Sequence, residues 1–162
     1  MSQVPKLVFS RAQLDSLRQF SEAAYPEEGC GVLLGLVEGD GVRVTAVLAG
    51  RNLVEERRRD RYELDPRDII QAERQARAAG QELVGFYHTH PDHPARPSQY
   101  DTERAWPGYH YVVVGVAAGT LAAASAWRLV EGEESLGFQP AQLIEADPDR
   151  GYNPPGLVAE AS

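Results

Sequence analysis

The sequence predicts an α/β fold in which helices flank one mixed sheet. The chain has 162 residues, which is enough for one domain with a sizeable core and too few for two. Short apolar runs typical of strands alternate with longer segments of helical periodicity. The predicted order is helix, strand pair, helix, strand, short helix and further strands, which indicates the α/β class.

The first part of the chain is predicted to form a helix followed by a strand pair. The helix begins after Ser10, which stands three residues before Gln13 in the spacing of a capping box. Its apolar face consists of Leu14, Leu17 and Phe20. Residues 30–37 contain a continuous apolar run, which predicts a strand buried on both faces. A turn at 39–41 connects it to an alternating strand at 42–48.

The middle of the chain is predicted to contain a polar loop and a second helix. The loop spans residues 51–61 and leads into a short strand at 62–64. Asp65 is the expected N-cap of the helix, Pro66 is its first residue, and Gly80 lies past its end.

The rest of the chain is predicted to be mainly strands. Residues 83–87 predict a strand that carries two histidines at its exit, and three prolines stiffen the loop at 91–97. A short helix is expected from residue 98 to about 106. Further strands are expected at 110–116 and at 122–130, and Gly137 starts a last segment. Residues 1–145 are therefore predicted to be the domain, and 146–162 an extended or mobile tail rich in proline and glycine.

The two histidines after the 83–87 strand predict a metal site. His88 and His90 are two residues apart, so their side chains point to the same face of a strand. Asp101 follows after a ten-residue loop and can add a carboxylate. Two histidines and one aspartate leave one position of a tetrahedral zinc ion open, which is typical of catalytic zinc. The histidine pair alone is also compatible with ordinary polar residues at a strand end.

Three features near these histidines have two interpretations each. Ser98 and Asp101 have the spacing of a helix capping box, in which Ser98 is only an N-cap. Glu27 and Glu28 both precede the apolar strand, and either carboxylate is placed to handle protons. Cys30 is the only cysteine, and its alternation into an apolar strand favours a core residue over a nucleophile.

These positions together resemble the motif of the JAMM (MPN+) metallopeptidase family, Glu…His-x-His-x7-Ser-x2-Asp. The five positions are filled by Glu28, His88, His90, Ser98 and Asp101. The resemblance implies the MPN fold, a curved, largely antiparallel mixed sheet flanked by helices. It also implies that Zn²⁺ is held by His88, His90 and Asp101. Glu28, which fits the family pattern Glu-x-x-Gly, would then be the acid/base, and Ser98 the donor to the oxyanion.

The resemblance is closest to the small, free-standing prokaryotic members of the family. It implies zinc-dependent hydrolysis of an amide or isopeptide bond after the C-terminal Gly-Gly of a ubiquitin-like or sulfur-carrier protein. The chain lacks the long insertions with which eukaryotic deubiquitinases of the family hold ubiquitin, which favours a smaller carrier. The alternative is a non-catalytic MPN scaffold or interaction module. Other zinc hydrolases match less well, because the sequence has neither His-Glu-x-x-His nor Pro-Cys-x-x-Cys.

Charge and hydropathy limit the partners that we expect. The net charge of −8 disfavours sequence-independent binding to nucleic acid, which needs clustered cations. The run Arg57–Arg59 is interpreted as a solvated loop or as a docking patch for an acidic partner. His93 is expected in solvent or along a substrate groove, and His110 is expected to be structural. Without an 18-residue apolar run or a signal-peptide pattern, a cytoplasmic protein that does not span the membrane is expected.

Overall fold

The fold is built on one sheet of eight strands with three helices. The computed structural model describes residues 4–131, 136–147 and 151–153. The elements in chain order are β1 (Lys6–Phe9), α1 (Arg11–Ala24), β2 (Cys30–Glu38), β3 (Gly41–Ala49), α2 (Pro66–Ala78), β4 (Glu82–Pro91), α3 (Gln99–Arg104), β5 (His110–Ala117), β6 (Thr120–Glu131), β7 (Leu136–Asp147) and β8 (Gly151–Asn153). Within the described ranges, no helix is long and apolar enough to cross a membrane.

The strands follow the order β1-β3-β2-β4-β5-β6-β7-β8. Because β1 pairs in parallel with both β3 and β7, the first seven strands close into a barrel-like curved arrangement. The parallel pair β4–β5 lies at the centre, and antiparallel pairs join most of the remaining strands. The predicted fold class, a single α/β domain with a curved, mixed, largely antiparallel sheet flanked by helices, is confirmed.

Two hydrophobic clusters pack the sheet against the helices. One cluster contains Leu14 and Leu17 of α1, and the other contains Ala72 and Ala76 of α2. β2 contributes to both: Leu33 faces the α1 cluster, whereas Val32 and Leu34 face the α2 cluster. The prediction that this strand is buried on both faces is therefore confirmed.

The predicted helix ends are confirmed with one correction. Ser10 caps α1 by accepting a hydrogen bond from the backbone N–H of Gln13, but the side chain of Gln13 does not complete the capping box. It donates to the carbonyl oxygen of Thr45 in β3 instead, at 2.7 Å. Asp65 caps α2 and Pro66 begins it, as predicted.

The strand pattern differs from the prediction at both ends and in the middle. β1 and β8 are not among the predicted elements, and β7 extends to Asp147, two residues past the predicted domain end. The short strand expected at 62–64 is wrong, because this stretch forms only an isolated bridge between Asn52 and Leu64. Of the predicted tail, residues 148–150 and 154–162 lie outside the described residues.

Candidate metal centre

β4 carries both histidines into the interior of the sheet. Its antiparallel partner β2 places Cys30 opposite His88, and its parallel partner β5 places Gly115 opposite His90. The side chain of His88 is fully buried, and that of His90 is 12% exposed. The prediction that Cys30 is a core residue is also confirmed, and burial raises the pKa of its thiol to about 12.

Asp101 joins the two histidines through one carboxylate oxygen. The Oδ2 atom lies 3.0 Å from Nε2 of His88 and 3.1 Å from Nε2 of His90. The same oxygen accepts a hydrogen bond from the backbone N–H of Ser98 at 2.8 Å. In return, Ser98 Oγ accepts from the backbone N–H of Asp101 at 3.1 Å, so the capping box is formed. Because Oγ is the acceptor in this contact, the serine hydroxyl keeps its own proton for donation to a ligand.

Glu28 reaches the same two histidines from the segment that leads into β2. It lies just before β2 and is 4% exposed, whereas Glu27 is exposed. Glu28, His88 and His90 each offer a ligand atom, and these atoms all lie within 4.8 Å of one another. The Oε1 atom of Glu28 is buried and has no hydrogen-bond partner among the described residues.

A glycine allows β2 to approach its neighbours next to Glu28. A Cβ on Gly31 would lie 2.2 Å from the carbonyl oxygen of Leu48 in β3 and 2.3 Å from Cε1 of Tyr87 in β4. Both distances are too short for any side chain, so a larger residue here would push the strands apart. The glycine of the Glu-x-x-Gly pattern therefore has a packing role that also keeps Glu28 beside β4.

The environments of the two carboxylates move their pKa values in opposite directions. Burial raises the pKa of Glu28 to about 8, and the positive charge of His90 only partly offsets this rise. Burial would also raise the pKa of Asp101, but its contacts with His88, His90 and the Ser98 N–H keep that pKa well below the usual range. Asp101 is therefore a permanent anion, whereas Glu28 can take up and release a proton near neutral pH.

The donor chemistry of this cluster fits a divalent transition metal. Imidazole nitrogens and carboxylate oxygens are common zinc ligands, and here two of each type converge within one buried site. The buried Oε1 atom of Glu28 has no hydrogen-bond partner among the described residues, so it is available to contact a ligand or water bound in this site.

Comparisons with known proteins test the predicted family. Residues 10–130 match the family described as prokaryotic homologs of the JAB domain. The chain belongs to the prokaryotic JAB-domain family. The family predicted from the five-residue motif is thereby confirmed.

The chain is also similar to individual proteins and solved structures. The chain is 41% identical over 101 residues to the protein of Haloferax volcanii named Desampylase, covering 62% of this chain and 70% of that protein. A solution structure of a protein from Salinibacter ruber is 38% identical, with a TM-score of 0.63, and covers 94% of this chain and 98% of that one. A solution structure from Desulfitobacterium hafniense has a TM-score of 0.72 at 24% identity, covers 89% of this chain and 97% of that one, and shares the fold.

A cleft of about 320 Å³ opens over the candidate metal centre. Its floor and walls include Glu28, His90 and Ser98, and its rim includes Pro94 and His93 of the proline-rich loop. His93 is exposed to solvent and also borders this cleft, so both interpretations of it agree with the structure. By contrast, His110 lies outside this cleft and is 5% exposed in β5.

The arginine run lies beside the cleft, and its charges are matched by carboxylates. Arg57 pairs with Asp60, Arg59 with Asp92, and Arg58 with Glu27 at 4.0 Å. The backbone carbonyl of Arg58 also accepts a hydrogen bond from the N–H of Glu28 at 2.6 Å. The 51–61 segment is therefore a solvated loop that is also attached to the site through the Arg58 carbonyl.

Three contributions to the site have no signal in the local sequence. The Pro94 carbonyl oxygen lies 2.9 Å from Nδ1 of His90, which fixes the ring and leaves Nε2 directed at Asp101. The ring of Tyr62 stacks on the ring of His88. Asn52 holds the segment before Tyr62, because its Nδ2 donates to the carbonyl oxygens of Glu28 and Arg61. All of these contacts depend on chain segments that meet only in the folded protein.

Proposed function

We propose that this JAB-domain protein is a zinc-dependent metallopeptidase. It hydrolyses an amide or isopeptide bond after the C-terminal Gly-Gly of a ubiquitin-like or sulfur-carrier protein. The observation that carries the proposal is the convergence of two imidazole Nε2 atoms on Asp101 Oδ2, with the buried Glu28 carboxylate beside them under an open cleft. The relative named Desampylase supports the reaction class, since its name describes removal of a ubiquitin-like modifier.

The two carboxylates receive different roles in this proposal. Asp101 is assigned as the metal ligand with His88 and His90, because its oxygen touches both Nε2 atoms and is oriented by the capping box. When bound, zinc would supply Lewis acidity that polarises a carbonyl oxygen and acidifies water. The Glu28 carboxylate stands within reach of the same space, and its Oε1 has no hydrogen-bond partner in the part of the chain that the structure describes, which suits a group that must change its protonation state.

Proton transfer is assigned to Glu28, and stabilisation of the oxyanion is assigned to Ser98; both residues line the cleft. Glu28 Oε1 accepts a proton from the attacking water and later delivers it to the leaving nitrogen. The Ser98 hydroxyl donates a hydrogen bond to the oxyanion, and one such donor is typically worth ~3–4 kcal/mol in the transition state. Ser98 can do this while its Oγ caps α3, since the two roles use different parts of the hydroxyl group.

The residues that line the cleft support the proposed Gly-Gly specificity. Its walls come from the proline-rich loop and, through Arg59 and Asp60, from the 51–61 segment. A tail without side chains can pass between these walls and be held through its backbone. We therefore expect strong discrimination against larger residues at the last position of the tail.

The experiment compares carrier conjugates that differ only in the terminal glycine, with and without a chelator. Wild-type protein should cleave the Gly-Gly conjugate, cleave the Gly-Ala conjugate much more slowly, and lose activity on chelation. Glu28→Gln should retain zinc and lose nearly all turnover, whereas Glu27→Gln is the matched control with the same charge change at an exposed neighbour.

Two outcomes would contradict the proposal. Activity that survives chelation, or equal rates for both tails, would exclude a zinc-dependent Gly-Gly peptidase. Purified protein with no stoichiometric zinc and no cleavage would instead support the non-catalytic scaffold.

A further inference from the structure

We propose that Tyr62 is a positioning residue that holds the His88 imidazole in the orientation needed for metal binding. The inference rests on the proposed function, because it assumes that His88 is a metal ligand. Tyr62 belongs to none of the five motif positions, and it reaches the site from the segment between β3 and α2.

The contact between the two side chains is an offset stack of nearly parallel rings. The ring centroids of Tyr62 and His88 lie 4.7 Å apart, and the ring planes differ by 19°. Such offset stacks are a favoured geometry for aromatic pairs. Because His88 is fully buried, the tyrosine ring covers one face of an imidazole that water does not reach.

The two histidines differ in how their rings are held. Metal-ligating histidines nearly always use their second ring nitrogen in a hydrogen bond that fixes the ring. For His90 this partner is the carbonyl oxygen of Pro94, at 2.9 Å from Nδ1. For His88, Nδ1 is buried and has no hydrogen-bond partner among the described residues. The Tyr62 stack therefore restrains the ring of His88 where a hydrogen bond restrains that of His90.

The backbone around Tyr62 is fixed on both sides. Asn52 Nδ2 donates to the carbonyl oxygen of Arg61 at 3.1 Å, and Asn52 Oδ1 accepts from the N–H of Glu63 at 3.0 Å. The guanidinium of Arg61 lies over the ring of Tyr100 in α3, at 4.4 Å from the centroid. A residue held in this way can transmit a fixed orientation to the ring that it covers.

The test measures metal affinity and metal geometry in Tyr62 variants. Tyr62→Phe keeps the stack, whereas Tyr62→Met fills similar space without a planar ring. Tyr109→Met is the matched control, because Tyr109 is a half-buried tyrosine that packs edge-on to Phe86 and not on a histidine. Zinc affinity is measured by competition with a chromophoric chelator. Ligand geometry is measured by the visible absorption of the cobalt-substituted protein.

We expect Tyr62→Met to bind zinc about tenfold or more weakly and to change the cobalt spectrum. Tyr62→Phe and Tyr109→Met should both remain within about twofold of wild type. Equal affinity and an unchanged spectrum in Tyr62→Met would overturn the role of Tyr62 and leave the proposed function intact. Wild-type protein that binds no zinc would overturn both.

A second measurement does not depend on the variant folding. In zinc-loaded wild-type protein, the ring current of Tyr62 should shift the carbon-bound ring protons of His88 upfield in the NMR spectrum. Unshifted His88 ring protons would overturn the proposal even if Tyr62→Met failed to fold.

Discussion

The buried carboxylate of Glu28 should reduce the stability of the metal-free protein at neutral pH. Glu28 is 4% exposed, and its Oε1 has no partner among the described residues. Burial raises its pKa from 4.5 to about 8. Between these two values the folded protein keeps the proton while the unfolded chain releases it. The folded state thus binds more protons, and stability falls as the pH rises through this window.

The size of the effect follows from the same pKa values. Each pH unit in the window changes the unfolding free energy by about 1.4 kcal/mol. Between pH 4.5 and pH 7 the loss therefore amounts to about 3 kcal/mol, a large share of the stability of a typical domain. Glutamine cannot ionise, so Glu28→Gln should gain this amount relative to wild type at pH 7 and almost none at pH 4.5.

The assay is urea denaturation in the presence of a chelator at several pH values from 4.5 to 8. The difference between Glu28→Gln and wild type at the lowest pH measures the cost of the amide itself. The growth of that difference with pH measures the ionisation of Glu28. Glu27→Gln, at the exposed neighbouring position, is the matched control.

A difference that stays constant from pH 4.5 to 8 would refute this reasoning. It would mean that Glu28 finds a partner or water in the metal-free protein and ionises as it does in the unfolded chain. A difference that grows as predicted would show that the site retains a destabilising carboxylate, as expected for a functional group.

Three further predictions concern acid stability, the oxyanion donor and the metal. Burial lowers the pKa of His110 from 6.5 to about 4, helped by the charge of Arg128, so stability is lost as the pH falls through this range. Between pH 6.5 and pH 4 this loss amounts to about 2.5 kcal/mol, and His110→Gln should remove it in urea denaturation at the two pH values. His93→Gln, in the exposed loop, is the control. Ser98→Ala should lower kcat more than it raises KM and also lose about 1 kcal/mol of unfolding free energy; unchanged kinetics would leave Ser98 as an N-cap only. Asp101→Ala should lose zinc in elemental analysis, and full retention would remove Asp101 from the ligand set.

Most of the secondary structure could be predicted because it depends on near neighbours in the chain. The caps at Ser10 and Asp65 and the buried run of β2 are local patterns, and all three occur in the structure. β1 has only four residues, and its partners β3 and β7 are far away in the sequence. A strand this short has no distinctive pattern of its own, so it is defined only when the sheet closes.

The candidate site could likewise be predicted only where it depends on near neighbours in the chain. The spacing of His88 and His90 places both rings on one face of any strand, and the Ser98–Asp101 spacing permits a capping box at the start of a helix. The environment of Glu28 depends instead on the register of β2 against β4, which joins residues 60 positions apart, such as Gly29 and Thr89. The sequence offers two adjacent glutamates, and only the packing of the strands buries one and exposes the other.

The sequence by itself therefore determined the chemical groups of the site and their spacing within each element. The tertiary structure decided which carboxylate is buried, how the rings of the two histidines are held, and that Tyr62 belongs to the site. The physical reason is the range of the interactions. Periodicity and capping are set by backbone geometry over a few residues, whereas burial, desolvation and ring stacking arise only when distant segments share one core.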